Sequence, residues 1–242
     1  MKNYLDFTKT LNINDVAFDG KMLPQDIMGL FQQAVTAHTF EMELDFASIL
    51  RKYNAKWFIV SAHLEIERAP AIDETVTVRT WPQKASALKF PRAFTMKDEN
   101  GNIVASAMTQ WCIVDHDTNE IMRAKTLEFP FDEFIEEDPT STRGRIPVSD
   151  AGERCYSRKM LLSDIDLNRH VNNVSYIRIG MDCFSSAELE NMQITALDIQ
   201  YKLQCYEGDT LDLYRLETEN GYIIEGKRGE DSIFKMMLTI KK

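Results

Sequence analysis

The sequence repeats one order of secondary-structure elements twice, and this repeat constrains the fold more than any other feature. Behind Pro24, a favourable first-turn residue, apolar side chains recur at helical spacing and predict a helix over residues 24–43. Segments rich in β-branched and aromatic residues follow, predicting strands over 57–66, 75–81, 88–96 and 103–114. The second half repeats this order, with a helix over 174–189 and strands over 194–203, 210–217, 222–227 and 233–240. We therefore predict an α+β fold in which an antiparallel sheet wraps around one long helix, twice.

Turn signals at matching places support the repeat. Asn100-Gly101 and Asn220-Gly221 each separate two predicted strands, and both dipeptides are typical of hairpin turns. The segments 73–78 and 208–213 occupy matching positions in the two halves. These correspondences indicate a duplicated unit.

A linker is predicted between the halves. It begins with an acidic run and continues into a stretch with proline, serine, threonine and glycine, a composition typical of linkers. We therefore divide the chain into an N-terminal domain of residues 1–124, a linker of residues 125–154 and a C-terminal domain of residues 155–242. Apolar residues inside the linker predict that it packs across the sheet surface: Phe129, Phe131, Phe134 and Ile135.

Composition sets broad limits on function. With 242 residues, 44% of them hydrophobic, the chain is long enough to bury a sizeable core. A net charge of -10 argues against nucleic acid as a partner. No segment approaches the roughly 20 apolar residues that a membrane-spanning helix needs. The four cysteines are widely spaced, without a CxxC pair or a metal-ligand grouping, and the N-terminus lacks a signal-like apolar run, so we expect a reduced cytoplasmic protein without a metal site.

A dense polar segment, residues 164–173, carries two carboxylates, three amides and an imidazole just before the second predicted helix. Asp166, Asn168 and His170 alternate, so in an extended segment their side chains would leave one face and converge on one reacting atom. We interpret these three as functional, because helix capping would use only one or two such residues. For Asn172 and Asn173 we prefer a capping role at the helix N-terminus, whose free N–H groups suit developing negative charge.

The sequence from Asp166 to Tyr176, Asp-x-Asn-x-His-Val-Asn-Asn-x-x-Tyr, resembles the active-site signature of the acyl-acyl carrier protein thioesterases of plants and bacteria. The likeness extends to Trp57, to the strand over 74–81 and to the stretch over 90–111. It implies a tandem, or double, hotdog fold, with two long helices each wrapped by an antiparallel sheet. It also implies hydrolysis of an acyl thioester to release a free fatty acid, without a cofactor.

Thioester hydrolysis needs a nucleophilic water and a stabilised oxyanion, and the motif offers groups for both. Asn168 is expected to donate to the carbonyl or to position the water. His170 is expected to act as general base or to orient the water, while Asp166 fixes the imidazole or polarises the water. A carboxylate hydrogen-bonded to the imidazole would raise the pKa of His170 above about 6.5.

The resemblance adds two residues at the end of a later strand. The family segment usually ends in Glu-Cys, with the glutamate held to be catalytic and the cysteine long proposed as nucleophile, whereas this chain has Gln204 and Cys205. An amide orients water but does not accept its proton, so the base must be His170 or Asp166. Cys205 is either a nucleophile or a small buried hydrophobe, and we favour direct attack by water. Glu207 could replace the missing acid, but its position before a glycine favours exposure.

Only the second half carries the motif, because residues 19–24, at the corresponding place in the first half, offer no histidine and no amide pair. We therefore predict one catalytic site per chain and an acyl-chain slot in the first half. Seven residues could line the slot or belong to the ordinary core: Met22, Met28, Phe31, Phe40, Met42, Leu44 and Phe46. We expect His38 to be a core histidine with satisfied hydrogen bonds, and we assign no function to His63 and His116.

The expected partner is acyl carrier protein bearing an acyl-phosphopantetheine group. Because that carrier is itself acidic, the net charge of -10 requires a local basic patch on this chain. The candidates, which could equally be solvated surface, are Arg143, Arg145, Arg154, Arg158, Lys159 and Arg169. Two further functions stay open, an acyl-coenzyme A thioesterase and a non-catalytic acyl-binding hotdog protein. Two fused hotdogs already form a pair, so both a monomer and a homodimer are compatible with the sequence.

Overall fold

The computed structural model describes residues 2–142, 144–149 and 152–241. The first half contains five strands and two helices: β1 Leu5–Thr10, α1 Pro24–Glu41, α2 Phe46–Tyr53, β2 Ala55–Ile66, β3 Thr75–Pro82, β4 Phe90–Lys97 and β5 Ile103–Asp115. The second half contains the same number: β6 Glu153–Lys159, α3 Asn173–Met181, α4 Ser186–Glu190, β7 Gln193–Tyr201, β8 Thr210–Thr218, β9 Gly221–Arg228 and β10 Asp231–Lys241. Two single 3-10 turns, Ala124–Thr126 and Leu162–Asp164, complete the regular structure of these ranges.

The ten strands form one antiparallel sheet in the order β1-β3-β4-β5-β2-β7-β10-β9-β8-β6. From either edge inwards, the first-half strands and the second-half strands follow the same order, which confirms the duplication. The halves meet where β2 pairs with β7, from Ser61 opposite Gln200 to Glu65 opposite Ala196. The helix α1 packs on β3 and contacts α3, which packs on β9 and β10. This arrangement is the predicted double hotdog fold.

The main core lies between the helices and the sheet. On β2, the buried residues Ala62, Leu64 and Ile66 alternate with Ser61, His63 and Glu65 on the opposite face, as the period of a strand requires. Phe31 of α1 stacks on Phe94 of β4, with ring centroids 4.9 Å apart. Burial of each such aromatic side chain stabilises the fold by about 1.5–3 kcal/mol.

The prediction of one helix over 174–189 is wrong in its second part. The helix α3 ends at Met181, and the separate helix α4 begins after Ser185. Ser185 accepts a hydrogen bond from the Glu188 N–H at 3.2 Å, while the Glu188 carboxylate accepts one from the Ser185 N–H at 2.8 Å. This capping box starts a new helix within the apolar pattern that predicted a continuous one.

Three elements, β1, α2 and β6, are not predicted from the sequence. The strands β1 and β6 form the two sheet edges, where exposed polar residues interrupt the apolar pattern. The helix α2 is only eight residues long and depends on its cap, because the Asp45 side chain accepts hydrogen bonds from the N–H groups of Ala47 and Ser48.

Both predicted hairpins are confirmed. Asn100-Gly101 lies in the turn between β4 and β5, where Gly101 has a φ of 82° and donates its N–H to the Asp98 carbonyl at 3.0 Å. Asn220-Gly221 joins β8 to β9. Gly221 has a φ of 147°, and a side chain there would overlap the backbone of Leu238 on β10. Glycine is therefore required at this position.

The segment after β5 packs on the protein as predicted. Phe129 and Phe131 join a small second core, and the Phe129 ring lies 6.3 Å from that of Phe90. Farther along, the Gln83 amide donates to the Glu137 carbonyl at 2.8 Å, and Lys235 of β10 donates to the Ser149 hydroxyl at 2.8 Å. The segment therefore begins on the helix side of the sheet, at Phe129, and its later part, where Glu137 and Ser149 are bound, lies on the face opposite to the helices.

A cluster of polar side chains fixes this crossing where β2 meets β7. The Glu65 carboxylate accepts hydrogen bonds from the N–H groups of Ser141 and Thr142, at 2.7 and 2.8 Å. Burial alone would raise the pKa of Glu65, but these bonds lower it to about 2. His63 Nδ1 lies 2.7 Å from an Asp198 carboxylate oxygen on β7, and although burial opposes it, this contact raises the pKa of His63. The linker and both central strands are thus joined by one ionic cluster.

Glu65→Gln is expected to loosen the linker, because a neutral amide accepts weaker hydrogen bonds and its NH2 group opposes the backbone donors. Trypsin cleavage after the exposed Arg145 should become faster by on the order of tenfold. Glu67→Gln removes the same charge from an exposed neighbouring side chain and should leave the cleavage rate unchanged. Equal rates for the two variants would contradict a holding role for Glu65.

Candidate active site

The polar motif folds as a tight turn, not as an extended segment. The Asp166 N–H donates to the His170 carbonyl at 2.9 Å, and Ile165 bridges to Val171 in antiparallel fashion. The expectation that alternation in a strand places the three side chains on one face is therefore wrong. The Asp166 carboxylate accepts the Asn168 N–H at 2.8 Å, and this local bond favours a turn over an extended backbone.

The turn nevertheless brings the three predicted residues together. Asp166, Asn168 and His170 all line one cavity of about 460 Å³. The remaining walls come from β2, from the turn after β5, from the start of α3, from the end of β7 and the segment after it, and from the end of β9: Trp57, Phe58, Ile59, Asn119, Val171, Asn173, Tyr176, Tyr201, Lys202, Leu203, Gln204, Tyr206 and Arg228. The site therefore contains residues of both halves, as expected for a cavity at their junction.

The preference for a capping role is confirmed for Asn172. Its side-chain oxygen accepts the Val174 N–H at 2.9 Å at the start of α3. Asn173 is the first residue of α3, and it lines the cavity. The positive end of the α3 dipole is consequently adjacent to the motif.

The imidazole of His170 is half-buried between aromatic rings, 5.0 Å from Tyr206 and 6.1 Å from Phe58. Within the described ranges, no hydrogen bond reaches either ring nitrogen. Burial lowers the pKa of His170; Asp166 opposes this shift and Lys56 adds to it. The rise in pKa expected for a hydrogen-bonded carboxylate does not occur, because Asp166 is not hydrogen-bonded to the ring in the described structure and burial outweighs its charge. The lowered pKa leaves His170 neutral, and so able to accept a proton, at neutral pH.

Asn168 presents an unsatisfied polar atom. Its side-chain oxygen is buried and has no hydrogen-bond partner in the part of the chain that the structure describes. Because buried polar atoms are nearly always paired, this atom marks a place for a ligand group or a bound water.

A second cavity, of about 570 Å³, adjoins the first. Trp57, Asp166, Asn168 and Asn173 line both. The other walls are a face of α1, the first-half strands and the start of the linker, and they are largely apolar: Gln32, Val35, Thr36, Thr39, Met42, Leu44, Asp45, Phe46, Pro82, Phe90, Pro91, Arg92, Trp111, Phe129, Ile165, Leu167 and Asn172. The motif thus lies where the two cavities meet. We call the first the polar cavity, because His170, Lys202 and Arg228 line it alone, and the second the apolar cavity, because most of its other walls are apolar.

Three of the seven predicted slot residues, Met42, Leu44 and Phe46, line this second cavity. Met22, Met28 and Phe31 belong instead to the main core. Phe40 is 73% exposed on the outer face of α1. On α1 itself, Met28 and Phe31 thus face the core and Phe40 faces solvent, whereas the three predicted residues that line the cavity follow the end of that helix.

Cys205 lies in the main core and lines neither cavity. Burial raises the pKa of its thiol to about 11, so the thiolate is scarce at neutral pH. Gln204 does line the first cavity, where its side-chain oxygen accepts a hydrogen bond from the Tyr206 hydroxyl at 3.0 Å. Glu207 is exposed, as expected.

His38 is buried, as predicted, but its hydrogen bonds are only half satisfied. Nδ1 accepts from Arg92 at 3.2 Å, whereas Nε2 has no partner in hydrogen-bond geometry among the described residues. Burial and the neighbouring Arg92 lower the pKa of His38 to about 4, so the ring is neutral. His116 lies at the surface beside Asp117.

The predicted basic patch is only partly available. Arg154 is paired with Asp212, and Arg158 with the buried Asp164. The exposed candidates are Arg145, Lys159 and Arg169, while Arg143 lies outside the described residues. Two cations that the sequence analysis missed, Lys202 and Arg228, line the first cavity. Their positions at strand ends near the motif become apparent only from the strand pairing.

Asp164 holds the motif turn in place. Its buried carboxylate accepts hydrogen bonds from Arg178 at 2.6 Å, from Arg158 at 3.0 Å and from the Leu161 N–H at 2.9 Å. Its carbonyl accepts the Asn172 N–H at 2.8 Å. One residue therefore ties β6, the turn and α3 together.

Asp164→Asn should destabilise the protein by about 3 kcal/mol, because it leaves two arginines without their shared buried anion. The measurement is chemical denaturation followed by circular dichroism. Asp182→Asn is the matched control: this half-exposed carboxylate lies 3.8 Å from Arg158, and its loss should cost less than about 1 kcal/mol. Similar losses in both variants would contradict the anchoring role of Asp164.

No helix of the described residues is long and apolar enough to cross a membrane. In the same residues, no group of three or more histidine, cysteine, aspartate or glutamate side chains is arranged to hold a metal ion.

The fold closely matches solved structures over its whole length. An acyl-ACP thioesterase from Bacteroides thetaiotaomicron aligns with a TM-score of 0.87 and 21% identity, covering 99% of this chain and 98% of that one. A 12:0-ACP thioesterase from Umbellularia californica aligns with a TM-score of 0.82 and 15% identity, covering 100% and 98%. At these identities the likeness establishes the double hotdog fold.

Sequence comparison gives the family. Oleoyl-acyl carrier protein thioesterase 2, chloroplastic, of Arabidopsis thaliana is 26% identical over 216 residues, which are 81% of this chain and 58% of that protein. The chain thus spans somewhat more than half the length of this relative. The family model for the acyl-ACP thioesterase N-terminal domain matches residues 5–127, and the model for the C-terminal domain matches residues 152–241. Because these two models match, in this order, most of the chain, the chain belongs to the acyl-ACP thioesterase family.

Proposed function

We propose that this protein hydrolyses the thioester of acyl-acyl carrier protein and releases a free fatty acid, as a soluble enzyme of fatty acid biosynthesis. One observation carries the proposal: Asp166 and Asn168 line both the polar cavity and the apolar cavity, and His170 lies beside them. A thioester carbonyl at this junction has room for its acyl chain on one side and its pantetheine arm on the other. The names of the relatives support the same chemistry.

In the proposed reaction, water attacks the thioester carbonyl carbon while neutral His170 accepts a proton from it. The carbonyl oxygen becomes an oxyanion, which the Asn168 amide and the N-terminus of α3 stabilise. Collapse of the intermediate breaks the carbon–sulfur bond, and the departing thiolate takes the proton from His170. Asp166 fixes the turn through its bond to the Asn168 N–H and favours the imidazolium that forms transiently.

Direct attack by water agrees with the rest of the site. Cys205 lines neither cavity, and burial raises the pKa of its thiol. Gln204 lines the polar cavity but carries no carboxylate, so its proposed role is to orient the water or the pantetheine arm by hydrogen bonding. His170 is then the group that accepts the proton.

The two halves take different roles in this proposal. The N-terminal domain, residues 1–124, holds the acyl chain in the apolar cavity, and the C-terminal domain, residues 155–242, supplies the motif. The linker of residues 125–154 joins them, and Phe129 extends the apolar wall. The cavity volume of about 570 Å³ fits a medium or long acyl chain.

Acyl carrier protein is the proposed partner. Lys202 and Arg228 line the polar cavity, and Arg169 is exposed on the motif turn, so these three are the proposed contacts for a phosphopantetheine phosphate and an acidic carrier. Arg228 is paired with Asp209 at 2.6 Å, so it would share its charge between that carboxylate and the phosphate. We assign the protein to the cytoplasm, because the four cysteines are free. Acting as a monomer or a homodimer, it needs only one site per chain.

The direct test is thiol release from matched acyl-carrier-protein and acyl-coenzyme A substrates of several chain lengths. We expect higher kcat/KM for the carrier thioesters. His170→Ala should reduce kcat by about 10²–10⁴ and Asn168→Ala by about 10²–10³, because they remove the base and an oxyanion donor. Cys205→Ala should retain activity within a few-fold.

Leu162→Ala is the control for this series, since Leu162 is exposed next to the motif and lines neither cavity. A higher kcat/KM for the coenzyme A thioesters would identify acyl-coenzyme A, and not acyl carrier protein, as the source of the acyl group. Binding of acyl chains without thiol release from any substrate would leave a non-catalytic binding protein. Loss of activity in Cys205→Ala at an unchanged melting temperature would favour the cysteine nucleophile over water.

The pH profile tests the role of His170 separately. Its pKa is lowered, so kcat/KM should hold as the pH falls below 6.5 and decline only when the imidazole becomes protonated. The charge of Lys56 contributes to the lowered pKa of His170. Lys56→Met should therefore raise this pKa and move the acid limb, the fall of kcat/KM at low pH, to higher pH. Lys52→Met removes a nearby cation that is paired with Glu43 and should leave the limb in place. An acid limb that is identical in all three proteins would contradict the contribution of Lys56, and an acid limb above pH 6.5 in the native protein would contradict His170 as the titrating base.

A further inference from the structure

Arg92 is an unusual component of the apolar cavity. It lies on β4, is only 6% exposed, and lines the cavity together with Phe90 and Trp111. A guanidinium has five N–H donors and keeps its charge in nearly all protein environments. Placing such a group on the wall of a slot for hydrocarbon is costly unless something pairs with it.

The described residues leave most of its donors without partners. Nη1 donates to His38 Nδ1 at 3.2 Å and to the Thr80 hydroxyl at 3.1 Å. Both acceptors are neutral, since His38 has a pKa of about 4. Nε and Nη2 form no hydrogen bond with any described residue, and no described carboxylate pairs with the guanidinium. Burial is the sole influence on the pKa of Arg92, lowering it to about 9, which still leaves a cation at neutral pH.

Other polar groups lie on the same cavity. Gln32, Thr36 and Thr39 of α1 line it, although both threonine hydroxyls donate to helix carbonyls. Three asparagines of the motif segment line it too, as do two carboxylates, which accept backbone N–H groups of their own turns and form no ion pair with Arg92 in the described residues: Asn168, Asn172, Asn173, Asp45 and Asp166. The cavity therefore combines an apolar wall of aromatic and aliphatic residues with neutral polar groups and one cation that has no carboxylate partner among the described residues. A saturated hydrocarbon chain would leave the cation unpaired, whereas an acceptor oxygen on the chain would pair with it.

We infer that this cavity selects acyl chains that carry an oxygen hydrogen-bond acceptor, a hydroxyl, oxo or carboxylate group, and that Arg92 recognises that oxygen. The inference rests on the proposed function for the identity of the acyl chain, but its recognition step does not depend on hydrolysis. Arg92 is a specificity residue, because it contacts the chain and not the reacting carbonyl. Carboxylate should give the largest preference, since it also neutralises the charge.

Binding of the chains as non-hydrolysable pantetheine amides tests the recognition step without turnover, because a free fatty acid would offer its own carboxylate to Arg92. Trp57 and Trp111 line the cavity, so their fluorescence reports occupancy by the amides of dodecanoate, 3-hydroxydodecanoate, 12-hydroxydodecanoate and dodecanedioate, the last linked at one end. We expect at least one oxygenated chain to bind the native protein about tenfold or more tightly than dodecanoate. Arg92→Met, which keeps side-chain length and removes the cation, should abolish this preference and improve dodecanoate binding.

Two variants control the experiment. Arg92→Lys keeps the charge and should retain part of the preference, while Arg79→Met removes an exposed arginine paired with Asp6 and should retain all of it. Melting temperatures establish that each variant is folded, and the ligand preference of the native protein is informative even where a variant is not. Tightest binding of dodecanoate by the native protein, or an equal preference in Arg92→Met, would overturn the inference.

Turnover of the same four chains as carrier-protein thioesters separates this inference from the proposed function. A preference in kcat/KM that follows the binding order supports both. If oxygenated chains bind selectively through Arg92 but are never hydrolysed, the proposal that the protein is a hydrolase is refuted. Recognition of the oxygen by Arg92 is then still supported. If the native protein and Arg92→Met both hydrolyse the saturated chain with the higher kcat/KM, recognition of an oxygen by Arg92 is refuted. The proposal that the protein is a hydrolase is then still supported.

Discussion

The pairing of β2 with β7 is the contact on which the rest of the structure depends. It converts two five-stranded units into one ten-stranded sheet and brings α1 and α3 together on one face. The two cavities lie along this junction, so their walls require residues from both halves. On the opposite face, the Glu65 and Asp198 cluster holds the linker across the same seam. Sheet continuity, cavity shape and linker position are therefore consequences of one strand pair.

Duplication of the fold is accompanied by divergence of chemistry. Before α3, the chain makes a turn held by the buried Asp164, and this turn supplies Asp166, Asn168 and His170. Before α1, the equivalent position is a simple bend that bridges Lys21 to Ala71. The face of α1 that remains free borders the apolar cavity, where Met42 and Leu44 lie. The second half thus contributes the reactive groups, and the first half contributes most of the walls of the apolar cavity.

Periodicity was sufficient to predict the long elements, because α1 and the inner strands bury regular apolar faces. It was insufficient where local hydrogen bonds compete with the pattern, as at Ser185, which starts α4, and at Asp166, which turns the motif. The site residues could be found because seven polar side chains in ten positions are more than the turn and the helix cap require; Asp164 and Asn172 take those structural roles. The direction of the His170 pKa shift depends on burial by Phe58 and Tyr206, which are distant in sequence.

The two sheet edges have a consequence for association between copies of the chain. The strand β1 carries Asp6 and Lys9, and β6 carries Arg154 and Lys159, so both free edges present charged side chains of either sign. Edges of this kind disfavour the addition of another strand, because pairing would take charged side chains and their ion pairs out of water. Growth of the sheet beyond ten strands through these edges is therefore disfavoured, and contacts between copies of the chain are favoured on other surfaces.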